Sequence, residues 1–156
     1  MSTQNNLDSS SVKKILEQHK LYISSHGTQG EAADFSETMI ENYDFSGIDI
    51  SEINAIHSTF INCTFNNTDL YASNFSKSLF NNCNFKKTTL VKSSFYKAKL
   101  SNCNFEGAKL SQAEFINADI SDTNFYHADL SYAIFDECLL QNTNFKQAIT
   151  TGVEID

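Results

Sequence analysis

The chain has 156 residues, a formal net charge of −8 at pH 7, and no proline, tryptophan or arginine. That length suits one domain, and without arginine the guanidinium fork that reads guanine edges, phosphates and carboxylates in bidentate fashion is missing. No apolar run approaches the ~20 residues of a membrane span, and the polar start from Met1 to Ser11 lacks the basic-then-apolar layout of a secretory signal.

Four cysteines without such a signal point to a reducing compartment, so cytoplasmic residence is expected. At the N-terminus, Val12, Ile15, Leu16, His19, Tyr22 and Ile23 recur at helical spacing. This predicts an amphipathic helix over about residues 11–25, with Ser10 or Ser11 as N-cap and Gly27 as the stop. His19 falls on the apolar face, which favours a packed histidine over a catalytic one.

Beyond the helix the pattern changes. All thirteen phenylalanines stand at positions divisible by five, from Phe35 to Phe145. Ile40, Ile50, Leu70, Leu90, Leu100, Leu110, Ile120, Leu130 and Leu140 fill the gaps, and Ala55 is the exception. A period of five fits neither helix nor strand. The residue two before each centre is nearly always small, as at Ser73, Cys83, Ala98, Ala108 and Ala118, while the other three are mostly Asn, Asp, Ser or Lys. Centre and small residue therefore face inward, and the chain turns after every unit. The first units depart from this: Tyr43, Ile48 and Ile53 occupy the small position, and Ile53 with Ala55 reads as a size exchange that keeps core volume.

Units such as Ala118-Asp119-Ile120-Ser121-Asp122 and Ala128-Asp129-Leu130-Ser131-Tyr132 resemble the pentapeptide repeat family, over about residues 31–150. The resemblance implies an all-β solenoid, a right-handed quadrilateral β-helix of about six twenty-residue coils. At the ~4.8 Å strand spacing the rod would be about 25–30 Å long. The expected division is 1–30 for the N-terminal tail and capping helix, 31–150 for the β-helix, and 151–156 for a C-terminal tail. An open solenoid needs capped ends. The helix serves the N-terminal end, whereas Ala148 to Asp156 offers no comparable cap, so a second copy could dock there.

Alignment at twenty residues gives the expected core columns. One is Phe45, Phe65, Phe85, Phe105, Phe125 and Phe145; the opposite one is Phe35, Ala55, Phe75, Phe95, Phe115 and Phe135, with mainly Leu and Ile between. Asn42, Asn62, Asn82, Asn102 and Asn84, Asn104, Asn124, Asn144 form polar ladders able to hydrogen-bond along the rod. Cys63, Cys83 and Cys103 share a column, but zinc wants four convergent ligands and none of the histidines His19, His26, His57 and His127 joins them. They read as small apolar filler. No metal or other cofactor is called for. Neither a Ser-His-Asp nor a Cys-His arrangement stands out from the repeat, and there is no glycine-rich phosphate loop, so no enzyme is expected.

Charge is banded. Residues 31–76 carry −8, residues 77–112 carry +6 and residues 113–145 carry −6. Banding of this kind orients a protein partner. The candidate partner-binding residues are Lys77, Lys87, Lys92, Lys97 and Lys99, with Tyr96 and Ile116 as apolar anchors. Belt lysines fall on all four faces, which does not make a nucleic-acid groove, and neither direct nucleic-acid nor membrane binding is expected. The reading is a non-catalytic scaffold for an unknown protein partner. The alternative comes from the resemblance: some members mimic DNA, bind type II topoisomerases such as gyrase, and protect them from quinolones or peptide toxins. The Lys77–Lys109 belt, the uninterrupted coils and the lack of a C-terminal dimerising helix depart from that subset.

Overall fold

The computed structural model describes residues 4–155. Met1 to Thr3 and Asp156, the outer ends of the two expected tails, lie outside the described residues. In chain order the elements are β1 (Asn5–Asn6), α1 (Ser9–Ser24), β2 (Thr38–Glu41), β3 (Thr59–Ile61), β4 (Leu79–Asn81), β5 (Lys99–Ser101), β6 (Ile134–Phe135) and β7 (Glu154–Ile155). The chain is a right-handed quadrilateral β-helix with an N-terminal helix. Parallel bridges run from Asp34↔Asn54 to Asp129↔Ile149, each joining residues twenty apart.

The five-residue unit turns because its last corner residue is left-handed. From Glu37 to Gln147 every non-glycine residue two after a centre has φ between 53° and 61°, and Gly47 and Gly107 take 72° and 65° at the same station. Most corners close with an N–H three residues on donating to the carbonyl of the centre, as Ala98 N does to Phe95 O at 2.9 Å. A positive φ at the third residue of such a turn is the type II geometry. The corner after β2, β3, β4 and β5 is more open, and Asn42, Asn62, Asn82 and Asn102 stand there. Asn enters this region more readily than most residues. Asn62 Nδ2 donates to Asn42 Oδ1 at 3.2 Å and Asn82 Nδ2 to Asn62 Oδ1 at 2.8 Å, so the predicted ladder forms from Asn42 to Asn82. Asn124 and Asn144 extend the second ladder at 2.9 and 2.7 Å.

Inside, the rings stack with the coil repeat. Phe45–Phe65, Phe65–Phe85, Phe85–Phe105, Phe105–Phe125 and Phe125–Phe145 have centroids 4.8, 4.7, 4.5, 5.1 and 5.4 Å apart. The opposite column stacks from Phe75 through Phe95 and Phe115 to Phe135 at 5.2, 5.0 and 4.8 Å. Rings of the two columns also meet edge to face, Phe95 and Phe105 at 6.0 Å and 89°. Each such pair adds about 0.5–1.5 kcal/mol to simple burial. Phe60 and Phe80 form a third, short stack at 5.0 Å on an otherwise aliphatic face. Ile53 and Ala55 are both buried, as the size exchange requires.

The small inward residue has a second use. Ser58 Oγ, Thr68 Oγ1, Ser93 Oγ and Thr123 Oγ1 donate to the carbonyls of Phe35, Phe45, Leu70 and Leu100, at 2.9, 2.7, 2.8 and 2.7 Å. Each hydroxyl thus ties a unit to the coil before it.

The cap departs from expectation at its ends. Helix α1 begins at Ser9 with Asp8 as N-cap, not Ser10 or Ser11, because the Asp8 carboxylate accepts from Ser11 N at 2.7 Å. Leu7 and Val12 then hold the two positions of a hydrophobic staple, and both pack on the core. At the other end Ser25 is the C-cap and His26 is already left-handed at φ 54°, one residue before Gly27. His19 is fully buried beneath α1, and its Nδ1 accepts from Ala33 N at 3.0 Å. Strand β1 adds a rung: it pairs in parallel with β2, and Leu7 N donates to Met39 O at 2.9 Å. It covers a sheet edge that α1 alone would leave open. At the far end β7 pairs with β6 and no helix follows among the described residues. Leu139 is 62% and Ile149 53% exposed there.

Candidate functional site

The rod has four corners, and each stacks one left-handed residue per coil. The candidate residues divide among them. Lys77 and Lys97 stand twenty apart on one corner, with Tyr96 and Ile116 in the column beside it and Lys99 two residues beyond. Lys92 occupies the preceding corner, and Lys87, ten residues from both Lys77 and Lys97, the one diagonally opposite. Five of the seven candidates therefore gather at one corner and two do not.

Backbone hydrogen bonds make that corner rigid. Glu37 N donates to Ile56 O at 2.9 Å, His57 N to Ser76 O at 3.0 Å, Lys77 N to Tyr96 O at 2.7 Å and Lys97 N to Ile116 O at 2.9 Å. Tyr96 and Ile116 are half-buried, while Lys77, Lys97 and Lys99 are exposed. Lys97 Nζ lies 5.1 Å from the Tyr96 ring centroid, a cation–π contact at the surface. Among the described residues the belt forms one ion pair, Lys86 Nζ to Glu106 Oε1 at 2.9 Å. The remaining belt lysines face solvent without a carboxylate in reach.

A cleft of about 360 Å³ opens at the N-terminal half of the same corner, lined by Glu37, His57, Lys77, Leu79 and Gln4 among others. Gln4 reaches across it, with Thr59 Oγ1 donating to Gln4 Oε1 at 2.7 Å. Glu37 and His57 were not singled out by the sequence reading, although the twenty-residue alignment that orders the phenylalanines places them over Lys77. A second groove of about 530 Å³ lies between α1 and the first coil, floored by Leu16, Ile23, Ile48 and Ile50.

The other chemistry-bearing residues serve the fold. Cys63 Sγ, Cys83 Sγ and Cys103 Sγ point to the carbonyls of Ile40, Phe60 and Phe80 at 3.5, 3.4 and 3.8 Å, the bond that serine and threonine make elsewhere. The neighbouring Cys83 thiol and burial push Cys63 well above the usual thiol range, and the Cys103 thiol and burial push Cys83 up to about 12. Such thiols stay protonated and inert near neutrality. Burial holds His19 below its ordinary value, against the pull of Asp49 and Glu52.

No helix among the described residues is long and apolar enough to cross a membrane. Comparison with known proteins bears on the fold. No curated protein is close enough in sequence to match. Among solved structures, the pentapeptide repeat protein Rfr23 from the cyanobacterium Cyanothece 51142 is similar, with TM-score 0.53 and 16% identity over 80% of this chain and 90% of its own. A pentapeptide repeat protein of the Arabidopsis thaliana thylakoid lumen gives 0.44 and 28%, over 72% and 64%. QnrB1, a plasmid-mediated fluoroquinolone resistance protein, gives 0.42 and 22%, over 81% and 76%. Family profiles described as "Pentapeptide repeats (8 copies)" and "Pentapeptide repeat region" match residues 48–86 and 88–156. With twenty-residue bridges along the whole rod and a left-handed corner in every unit, the chain belongs to the pentapeptide repeat family.

Proposed function

We propose that the protein is a non-catalytic binding module that holds a protein partner on the outside of its rod, through the lysine belt and the Tyr96–Ile116 anchors. The observation that carries this reading is the set of belt lysines left unpaired among the described residues, with Lys77 and Lys97 stacked as like charges on adjacent coils. Like charges in neighbouring strand positions are unfavourable, and the core gains nothing from them. The inward chemistry supports the same reading, since buried cysteines and His19 are engaged with backbone. Cytoplasmic residence is part of the proposal, supported by four free thiols. A second copy docking on the terminal coil through Leu139 and Ile149 is the self-association that its exposed apolar side chains favour.

The acidic bands of residues 31–76 and 113–145 favour a second reading, mimicry of DNA toward a type II topoisomerase. The belt between them interrupts any continuous acidic column. A gyrase supercoiling assay with ciprofloxacin separates the two. The binding-module reading expects no change at micromolar protein; inhibition, or protection from the drug, would replace it with mimicry.

A further inference from the structure

The corner that carries Lys77 and Lys97 reads, coil by coil, Glu37, His57, Lys77, Lys97, Asn117, Glu137. All six are exposed and left-handed, with φ of 59°, 57°, 61°, 55°, 57° and 53°. The charge sequence is minus, neutral, plus, plus, neutral, minus, symmetric about the Lys77–Lys97 step. None of the other three corners has this arrangement: one is nearly all asparagine, and the others carry a single lysine each, Lys87 and Lys92.

The spacing of this ladder is fixed. The corner N–H groups bond the next coil at every step from Glu37 to Asn117, at 2.7–3.0 Å. At ~4.8 Å per coil the six corner residues span about 24 Å, the length of about seven residues of extended peptide. Beside the ladder run Ile56, Tyr96 and Ile116, half-buried and able to take apolar side chains. The cleft at Glu37, His57 and Lys77 gives the N-terminal half of the ladder a recess.

We infer that this corner binds an extended peptide segment of a partner protein that has two acidic residues at its centre and a lysine or arginine about three residues away on either side. The inference rests on the binding-module reading and gives its partner a chemistry. Charge complementarity selects this occupant over a polyanion. The basic step is short and has a carboxylate at each end, so a nucleic-acid backbone lying along the corner would meet Glu37 and Glu137. The absence of arginine also removes the strongest phosphate ligand. Only a segment that changes sign twice satisfies the whole ladder.

The test is fluorescence anisotropy with three labelled nine-residue peptides: one of the stated pattern, its charge inverse, and a uniformly acidic one. A labelled oligothymidylate and light scattering of the protein alone complete the set. The patterned peptide is expected to bind at least fivefold tighter than either other peptide, and to weaken severalfold between low and high salt. Lys77→Asn with Lys97→Asn keeps a residue suited to the left-handed corner, so the fold survives, and should weaken that peptide at least fivefold. Equal binding of the three peptides that still depends on Lys77 and Lys97 would overturn the charge pattern and leave the binding module standing. Tighter binding of oligothymidylate would assign the corner to nucleic acid instead, and dimers lost on the same double substitution would assign it to a second copy. Gyrase protection would remove the underlying reading whatever the peptides do.

Discussion

Replacing Phe105 with alanine removes one ring from the middle of the longest stack. That ring lies 4.5 Å from Phe85, 5.1 Å from Phe125 and edge-on to Phe95 at 6.0 Å, and it is fully buried. The coils above and below are tied by backbone bonds, Phe85 N to Asn104 O and Phe105 N to Asn124 O, both at 2.7 Å, so the cavity cannot collapse along the axis. Truncation of a buried phenylalanine costs about 3–5 kcal/mol, and loss of three ring contacts puts this site at the upper end, about 4–5 kcal/mol. For a chain of this size that lowers the melting temperature by about 8–20 °C. Urea unfolding followed by far-ultraviolet circular dichroism gives the midpoint, and the slope should not change. Phe145→Ala is the internal control. Phe145 is only partly buried on the terminal coil, stacked on Phe125 at 5.4 Å and edge-on to Phe135 at 5.7 Å with no ring beyond it, and should lose clearly less. A Phe105→Ala shift below about 1 kcal/mol, or equal shifts at the two sites, would refute the stacked core as the source of stability.

Other substitutions probe the cap and its hydrogen bonds. His19 is buried with its ring nitrogen accepting from Ala33, and its pKa lies below the unfolded value. The unfolded chain therefore takes up a proton that the fold refuses, so stability is full above about pH 6.5 and falls as pH drops below it, by up to about 1.4 kcal/mol per unit. His19→Gln keeps an acceptor without titrating, and its melting temperature should be flatter than wild type between pH 7 and 5; parallel curves would contradict the assignment. Gly30 has φ 72°, and a Cβ there would meet Gln18 O at 2.2 Å. Gly30→Ala should cost about 2–3 kcal/mol and loosen α1, read as faster amide exchange in the helix than in the coils. Thr123→Val removes the hydroxyl that donates to Leu100 O at 2.7 Å while keeping shape. A loss of about 1 kcal/mol in urea is expected, and no loss would deny the hydroxyl its inter-coil role.

The interior was readable because its rule is local and repeats: a large apolar residue at every fifth position demands a turn after each unit, and the twenty-residue circuit that the family resemblance implies sorts the phenylalanines into columns. The same reasoning failed where the signal is short or competes with a stronger neighbour. Strand β1 is two asparagines, residues of low strand propensity, and only the open edge of β2 draws them into register. The periodic pattern starts at Val12 and so favours Ser10 or Ser11 as N-cap, whereas the staple with Leu7 places the cap at Asp8, four residues ahead of that valine. On the surface, Lys77, Lys97, Tyr96, Ile116 and Lys99 share a corner, whereas distance along the sequence groups them with Lys87 and Lys92. Their place in the ladder depends on position modulo twenty. Glu37, His57 and Glu137 lie up to a hundred residues apart and meet only through the coil, so composition could not join them.

On the proposed function, the core residues serve stability while the corner lysines serve a partner. The most direct measurement sets thermal stability beside patterned-peptide binding for wild type and for the Lys77→Asn, Lys97→Asn protein. Removal of the stacked like charges should leave the melting temperature unchanged or raise it by a few degrees, while binding falls at least fivefold. A protein that loses stability as it loses binding, or that binds as well without either lysine, would contradict it.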